Sequence, residues 1–179
     1  MRTRCKMRKQ SPKHLARIVH GLDQNAADAN AEQQPNVFFM PGISTVPCWR
    51  DDKLKSHPRL TSALSTIQEK YTSILEECNN LQRTEHCKLW RSNTSESGQW
   101  KTFYLYNQGK KVEENCKFCP ETVCLLNQAF LPFMKDCIFG NALFSIVEPG
   151  TIITEHYGPT NIRLRCHLGQ YAVYKVFDT

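Results

Sequence analysis

Apolar positions along this chain follow two rhythms, a helical one in the first half and a strand-like one in the second. Between residues 56 and 82, Leu60, Leu64, Ile67, Tyr71, Ile74, Cys78 and Leu81 recur at spacings of four and three. That period lays them in one stripe of an amphipathic helix. Ser56 is placed to cap the helix, and Pro58 is tolerated in its first turn. The stripe predicts packing on a domain core rather than a partner-binding or coiled-coil helix. Residues 100–106 read as an aromatic-rich strand closed by Asn107-Gln108-Gly109. Pro120-Glu121-Thr122 opens a second helix running to about Phe130. After the Gly140-Asn141 break come three strand-like segments, at 142–147, 151–155 and 162–168. The layout predicts an α+β fold with a helical N-terminal half and a β second half.

Ahead of these elements the pattern fades. Residues 21–36 are rich in Ala, Asn, Gln and Asp and bury too little to offset the entropy of ordering, so they read as a linker. Order is expected to begin at Val37-Phe38-Phe39-Met40. Residues 1–36 are thus a basic, disordered arm and linker, and residues 37–179 a folded domain. Charge sharpens that division. Arg2, Arg4, Lys6, Arg8, Lys9, Lys13 and Arg17 place seven cations among the first twenty residues with no acid, while the whole chain carries +6, which leaves residues 21–179 near −1. A solvated tail is the simplest reading of the arm. A transit peptide would want a stronger apolar face. Nothing aromatic in the arm would stack on bases, so no nucleic-acid partner is expected.

No run approaches the ~18 consecutive apolar residues of a membrane span. No apolar h-region follows the basic start, so a secretory signal is not expected either. The cysteines number nine, which prescribes no disulfide framework. Asn93-Thr94-Ser95 is a glycosylation sequon and points weakly to a secretory compartment.

Candidate chemistry concentrates between Thr154 and Gly169. His156 falls at a predicted strand end, where a sheet can aim it and a loop leaves it accessible. In the next segment, alternation puts Arg163, Arg165 and His167 on one face and Leu164, Cys166 and Leu168 on the other. Such cations are costly to bury unless an anion answers them. A carboxylate ligand suits them, because guanidinium binds carboxylates in a fork. A solvated outer sheet face satisfies the same pattern.

The run from Pro149-Gly150 through His156-Tyr157-Gly158-Pro159-Thr160-Asn161 to Arg165-Cys166-His167-Leu168-Gly169 resembles the signature of the aspartyl/asparaginyl β-hydroxylases, especially their aspartate β-hydroxylase domain-containing branch. A Phe-Tyr-Leu strand ending in Asn-Gln-Gly, at Phe103 to Gly109, and a Cys-x-x-Cys-Pro step, at Cys116 to Pro120, are similar to that family too. The likeness spans roughly Pro41 to Gly169. It implies helices followed by a double-stranded β-helix, or jelly-roll, of the 2-oxoglutarate dioxygenase type. It also implies Fe(II), 2-oxoglutarate and O₂ as reagents, and Asp or Asn of a protein substrate as the hydroxylated residue. By this resemblance His156 is an iron ligand, and Ser145, Arg165 and His167 contact the 2-oxoglutarate carboxylates. Most oxygenases of this class place a carboxylate two residues after the first histidine. Here that position is Gly158, as the resemblance leads one to expect, and Glu155 should point to the opposite face.

One departure stands against the resemblance. The family pattern continues beyond Leu168-Gly169 with a second iron histidine and a later cosubstrate arginine, whereas here no histidine follows His167. His14, His20, His57 and His86 are not at family positions. The domain is therefore expected to be a partial jelly-roll, a splice product or fragment, inactive by itself. Two other classes compete. Cys116, Cys119, Cys124 and Cys137 offer four thiols for a structural zinc, against which a Cys116–Cys119 bridge or packed thiols is the default. A non-catalytic binder of protein substrates is the third. As written the chain is expected to be soluble, whereas longer family forms are single-pass membrane proteins.

Overall fold

The structure is a computed structural model that describes residues 5–7, 35, 37–43, 49, 54–83, 85–154, 156–169 and 174–176. The helical stripe is present, but it is divided. α1 spans Pro58–Glu69 and α2 spans Tyr71–Arg83, with Lys70 between them leaving the helical region at φ −97°, ψ 17°. No glycine or proline marks that hitch in the sequence, so periodicity alone reads one helix. His57, not Ser56, is the N-cap residue, and it caps with no side-chain hydrogen bond. Thr61 instead returns its hydroxyl to the Leu54 carbonyl at 3.0 Å. Pro58 opens α1, where its missing N–H costs nothing. Of the stripe, Ile74, Cys78 and Leu81 are fully buried and the earlier members half-buried, so α2 is the helix seated in the core.

A four-stranded antiparallel sheet is centred on β3, Trp100–Asn107. β2 (Arg91–Asn93) and β4 (Lys110–Lys111) pair with its two ends, and β5 (Ala142–Val147) pairs along its length. Gln108 (φ 53°) and Gly109 (φ 76°) connect β3 to β4 as a two-residue hairpin with both central residues left-handed. Glycine is required at 109 for a second reason. A β-carbon there would stand 2.5 Å from the Cys137 amide nitrogen. The turn thereby packs against the segment that leads into β5.

Two short helices, α3 (Glu113–Cys116) and α5 (Leu131–Met134), flank α4, Pro120–Ala129, which matches the predicted second helix. Glu77 of α2 holds the start of α4. Its carboxylate accepts the Glu121 amide at 2.8 Å, the Thr122 amide at 2.9 Å and the Thr122 hydroxyl at 2.6 Å. The core lies between these helices and one sheet face, around Leu81, Phe103, Leu105, Tyr106, Cys119, Val123 and Leu126. Fully burying Phe103 or Leu105 contributes about 1.5–3 kcal/mol each.

The predicted strands at 151–155 and 162–168 do not form. The first is reduced to an isolated bridge, Ser97 to Ile152, and the second has no ladder partner among the described residues. A strand keeps its alternation only when a neighbour enforces it. Leu164, which alternation sets opposite the cationic face, is 47% exposed. The architecture is α+β, with helices on one face of an antiparallel sheet. The arm at 1–36 lies almost wholly outside the described residues. Within it Cys5–Met7 (β1) pairs antiparallel with Tyr174–Val176 (β6). Among the described residues no helix is long and apolar enough to cross a membrane.

Candidate functional site

Residues opposite each other in antiparallel strands share a face. Arg91 faces Thr102, Asn93 faces Trp100, and Thr102 faces Ser145. Arg91, Asn93, Trp100, Thr102, Tyr104 and Ser145 therefore stand on one side of the sheet, and Phe103 and Phe144 on the other, within the core. The candidates gather on the side turned away from the helices.

Trp100 is the hinge of this group. Its indole N–H donates to Ser145 Oγ at 3.0 Å, and its ring lies nearly parallel to the His156 imidazole, 28° between planes and 6.4 Å between centroids. His156 is exposed, and its Nδ1 lies 2.8 Å from the Thr154 carbonyl. Nδ1 is then the protonated nitrogen, and the Nε2 lone pair is left free to bind a metal. Ser145 and His156 come from separate segments and meet through one indole.

The segment after His156 crosses the same side. Arg163 is half-buried, and a β-carbon on Gly158 would stand 3.6 Å from its Nη2. Burial, then the neighbouring Arg165, lowers the Arg163 pKa, while Tyr104 acts the other way. His167 is pushed below the usual histidine range by surrounding protein, then by Arg165, although its own surface is exposed. Arg165 is exposed. The two ion pairs among the described residues are Lys101–Glu148 and Lys111–Glu113, so neither arginine is answered by a carboxylate there. No strand forms through Arg163, Arg165 and His167, so no ladder enforces the alternation that would set them on one face. Glu155 lies outside the described residues.

The cationic loop fits a ligand carrying carboxylates. For iron, His156 fits as one ligand through its fixed tautomer, but the described residues bring together no group of three His, Cys, Asp or Glu side chains around a metal. The zinc alternative fails on geometry. Cys116 and Cys119 are buried free thiols, whereas Cys124 and Cys137 are exposed, and they do not converge. Packed thiols replace both the zinc and the Cys116–Cys119 bridge. The side chain of the sequon's Asn93 donates to Thr102 Oγ1 at 3.1 Å.

Trp100, Tyr104 and Arg91 had no part in the sequence-based site. Alternation along β3 would have put Trp100 and Tyr104 together. Arg91 joins them only through the β2–β3 pairing.

A helix-backed antiparallel sheet with a histidine and a cationic loop on its open side defines a class that the sequence comparisons specify. The chain belongs to the aspartyl/asparaginyl beta-hydroxylase family, whose profile matches residues 68–171. Among relatives, it is 40% identical over 162 residues to aspartate beta-hydroxylase domain-containing protein 2 of Xenopus tropicalis, covering 87% of this chain and 42% of the relative. The human protein of that name is 40% identical over 166 residues, with the same coverage. Human aspartyl/asparaginyl beta-hydroxylase is 31% identical over 140 residues, 76% of this chain and 17% of its own length. The chain thus spans about two fifths of the length of the domain-containing relatives it matches.

Proposed function

We propose that the open side of the sheet carries part of an Fe(II)- and 2-oxoglutarate-dependent dioxygenase site of the aspartyl/asparaginyl β-hydroxylase type, acting on Asp or Asn of a protein substrate. The sheet is then one wall of a double-stranded β-helix. His156 offers Nε2 to the metal, and Ser145, Arg165 and His167 hold the 2-oxoglutarate carboxylates. The observation that supports this most is the link through Trp100, which joins Ser145 to His156. With iron bound, O₂ is the oxidant and 2-oxoglutarate the co-reductant, which leaves as succinate and CO₂ while one oxygen atom goes to the β-carbon. The chain's own residues bind and orient. Arg165 gives a forked donor for one carboxylate, and Ser145 a hydroxyl for another. Neutral His167 donates one ring N–H without adding charge.

The described residues offer the metal a single well-placed imidazole, so no step through the metal is derived. The 179 residues by themselves are expected not to convert 2-oxoglutarate to succinate. The test reads binding rather than turnover. With diamagnetic Zn(II) in place of iron, 2-oxoglutarate titrated into the full chain should shift the His167 imidazole NMR signals in a saturable way. Arg165→Ala should abolish that shift, and His156→Ala should remove line broadening by Mn(II). If 2-oxoglutarate leaves His167 unmoved, or Arg165→Ala changes nothing, the reading is wrong.

A further inference from the structure

We infer that two copies of this chain join through the outer edge of β5, antiparallel about a two-fold axis at Ser145, into one continuous sheet. The inference uses only the sheet, so it goes beyond the proposed dioxygenase site and does not depend on it.

The register fixes which backbone groups of β5 face outward. The Glu148 amide donates to the Gln99 carbonyl at 3.0 Å, one step beyond the Trp100–Val147 pair. Hydrogen-bonded pairs alternate along an antiparallel ladder, so Ile146 and Phe144 also turn their groups to β3. Leu143, Ser145 and Val147 turn theirs away. The Tyr104 carbonyl, opposite Leu143, points away from β5 in the same manner and accepts the Asn115 side-chain amide at 2.7 Å. Among the described residues no strand pairs with the outer edge of β5. The opposite edge of the sheet is guarded. β2 is three residues long and carries Arg91, and β4 is the two lysines Lys110–Lys111. β5 runs for six residues, Ala-Leu-Phe-Ser-Ile-Val, with no charge, glycine or proline. An edge of that kind recruits another strand.

Self-complementarity decides which strand. Pairing β5 with itself about Ser145 sets Ser145 opposite Ser145 and Leu143 opposite Val147, and every outward N–H and C=O then finds a partner. An axis on Phe144 would call on groups that β3 already holds, and an axis on Leu143 or Val147 leaves part of the edge unpaired. The Ser145 register also matches the faces. Phe144 and Ile146, half-buried on the helix side, meet Ile146 and Phe144 of the second copy beside both cores. Ser145 keeps its Oγ on the open side, where it accepts the Trp100 N–H. Glu148 falls opposite Ala142, so no like charges meet. A two-fold pair uses both β5 edges at once, and assembly stops at two. The contact is small, which makes the dimer concentration-dependent rather than permanent.

The test is sedimentation velocity of the full chain under a reducing agent, which keeps the exposed Cys124, Cys137 and Cys166 from cross-linking copies. Mass should rise from monomer to dimer as concentration climbs about a hundredfold through the micromolar range, and go no further. Leu143→Pro deletes an outward N–H and leaves every bond to β3, and should weaken the dimer at least about tenfold. Leu143→Lys places a charge at an exposed edge position and should act in the same direction, whereas Leu143→Thr should still dimerise. Hydrogen exchange of the wild type reads the pairing residue by residue and needs no variant to fold. On going from dilute to concentrated protein, the amides of Leu143, Ser145 and Val147 should slow at least about threefold, and those of Phe144 and Ile146 should not change. A monomer at every concentration overturns the inference. So does a dimer indifferent to Leu143→Lys, because another surface then holds it, or slowing that does not alternate along β5. Growth beyond the dimer overturns it too, since the two-fold pair is closed. The 2-oxoglutarate titration at His167 reports on the dioxygenase reading alone, and either result there leaves the β5 pairing to be decided by these measurements.

Discussion

The side chain of Asn161 grips the backbone of Met40 from both sides. Its Oδ1 accepts the Met40 N–H at 2.8 Å, and its Nδ2 donates to the Met40 carbonyl at 2.8 Å. The Pro159 carbonyl accepts the amides of Val37 and Phe38, both at 3.1 Å, and Phe38 bridges Thr160. Segment 37–43 is thereby tied to the loop that follows His156. Asparagine suits the position because its amide copies a peptide's donor and acceptor, whereas aspartate has no donor and alanine has neither.

Asn161→Ala is accordingly expected to release that segment. Two net hydrogen bonds at about 1 kcal/mol each protect the Met40 peptide. Hydrogen exchange at Val37, Phe38 and Met40 should quicken by roughly tenfold or more, with the core amides of β3 unchanged. Asn161→Asp should protect the Met40 amide but not restrain its carbonyl. Unchanged exchange at 37–40 in the alanine variant contradicts the clamp.

Glu77 gives a second prediction, about stability. Its carboxylate answers two amides and one hydroxyl at the start of α4, where a helix end also favours negative charge. Glu77→Ala leaves those donors to water or to nothing and should cost about 1–3 kcal/mol in urea unfolding. Glu77→Gln keeps one acceptor and should cost less. Equal stability of all three proteins would mean that α4 is held by packing alone.

How much of this was legible beforehand depends on what each residue needed. The stripe through Leu81, the strand at 100–106 and the helix from Pro120 were readable because one neighbour, the core, decides them. Ile152 and Leu164 carry a strand pattern, but a strand is a property of two segments, and among the described residues Ile152 finds only a single bridge to Ser97 and Leu164 no ladder partner. The cap at His57 and the hitch at Lys70 carry no local signal. The site was half legible. His156 and Arg165 came from a motif, but Trp100 and Arg91 reach it only through strand register, which composition does not encode.

Cys119 sits at the N-cap of α4 with no exposed surface, and burial, then the Glu77 carboxylate, pushes its thiol from the ordinary 9.0 up to about 12. The folded protein keeps a proton that the unfolded chain releases above pH 9. Its stabilising contribution is therefore full below pH 9 and is lost as pH rises from 9 towards 12. Urea midpoints of the wild type should fall over that window, and those of Cys119→Ser less steeply. At pH 8.5 iodoacetamide should label the exposed Cys124 and Cys137 at least about tenfold faster than Cys119. Comparable labelling rates would show the Cys119 thiol to be open to solvent.

Trp100 separates two roles that one ring performs. Its N–H fixes Ser145, and its π-face lies over His156 at 6.4 Å. Trp100→Phe removes the first and keeps most of the second, whereas Trp100→Leu removes both. The indole shields the imidazole protons, so the His156 ring signals should move downfield in Trp100→Leu and only slightly in Trp100→Phe. The leucine variant shrinks a half-buried side chain and is expected to lose about 1–3 kcal/mol, which leaves a folded protein to measure. Far-UV circular dichroism confirms that state before the spectra are compared. If the His156 signals in Trp100→Leu coincide with those of the wild type, the imidazole does not rest on Trp100, and the juxtaposition of His156 with Ser145 fails with it.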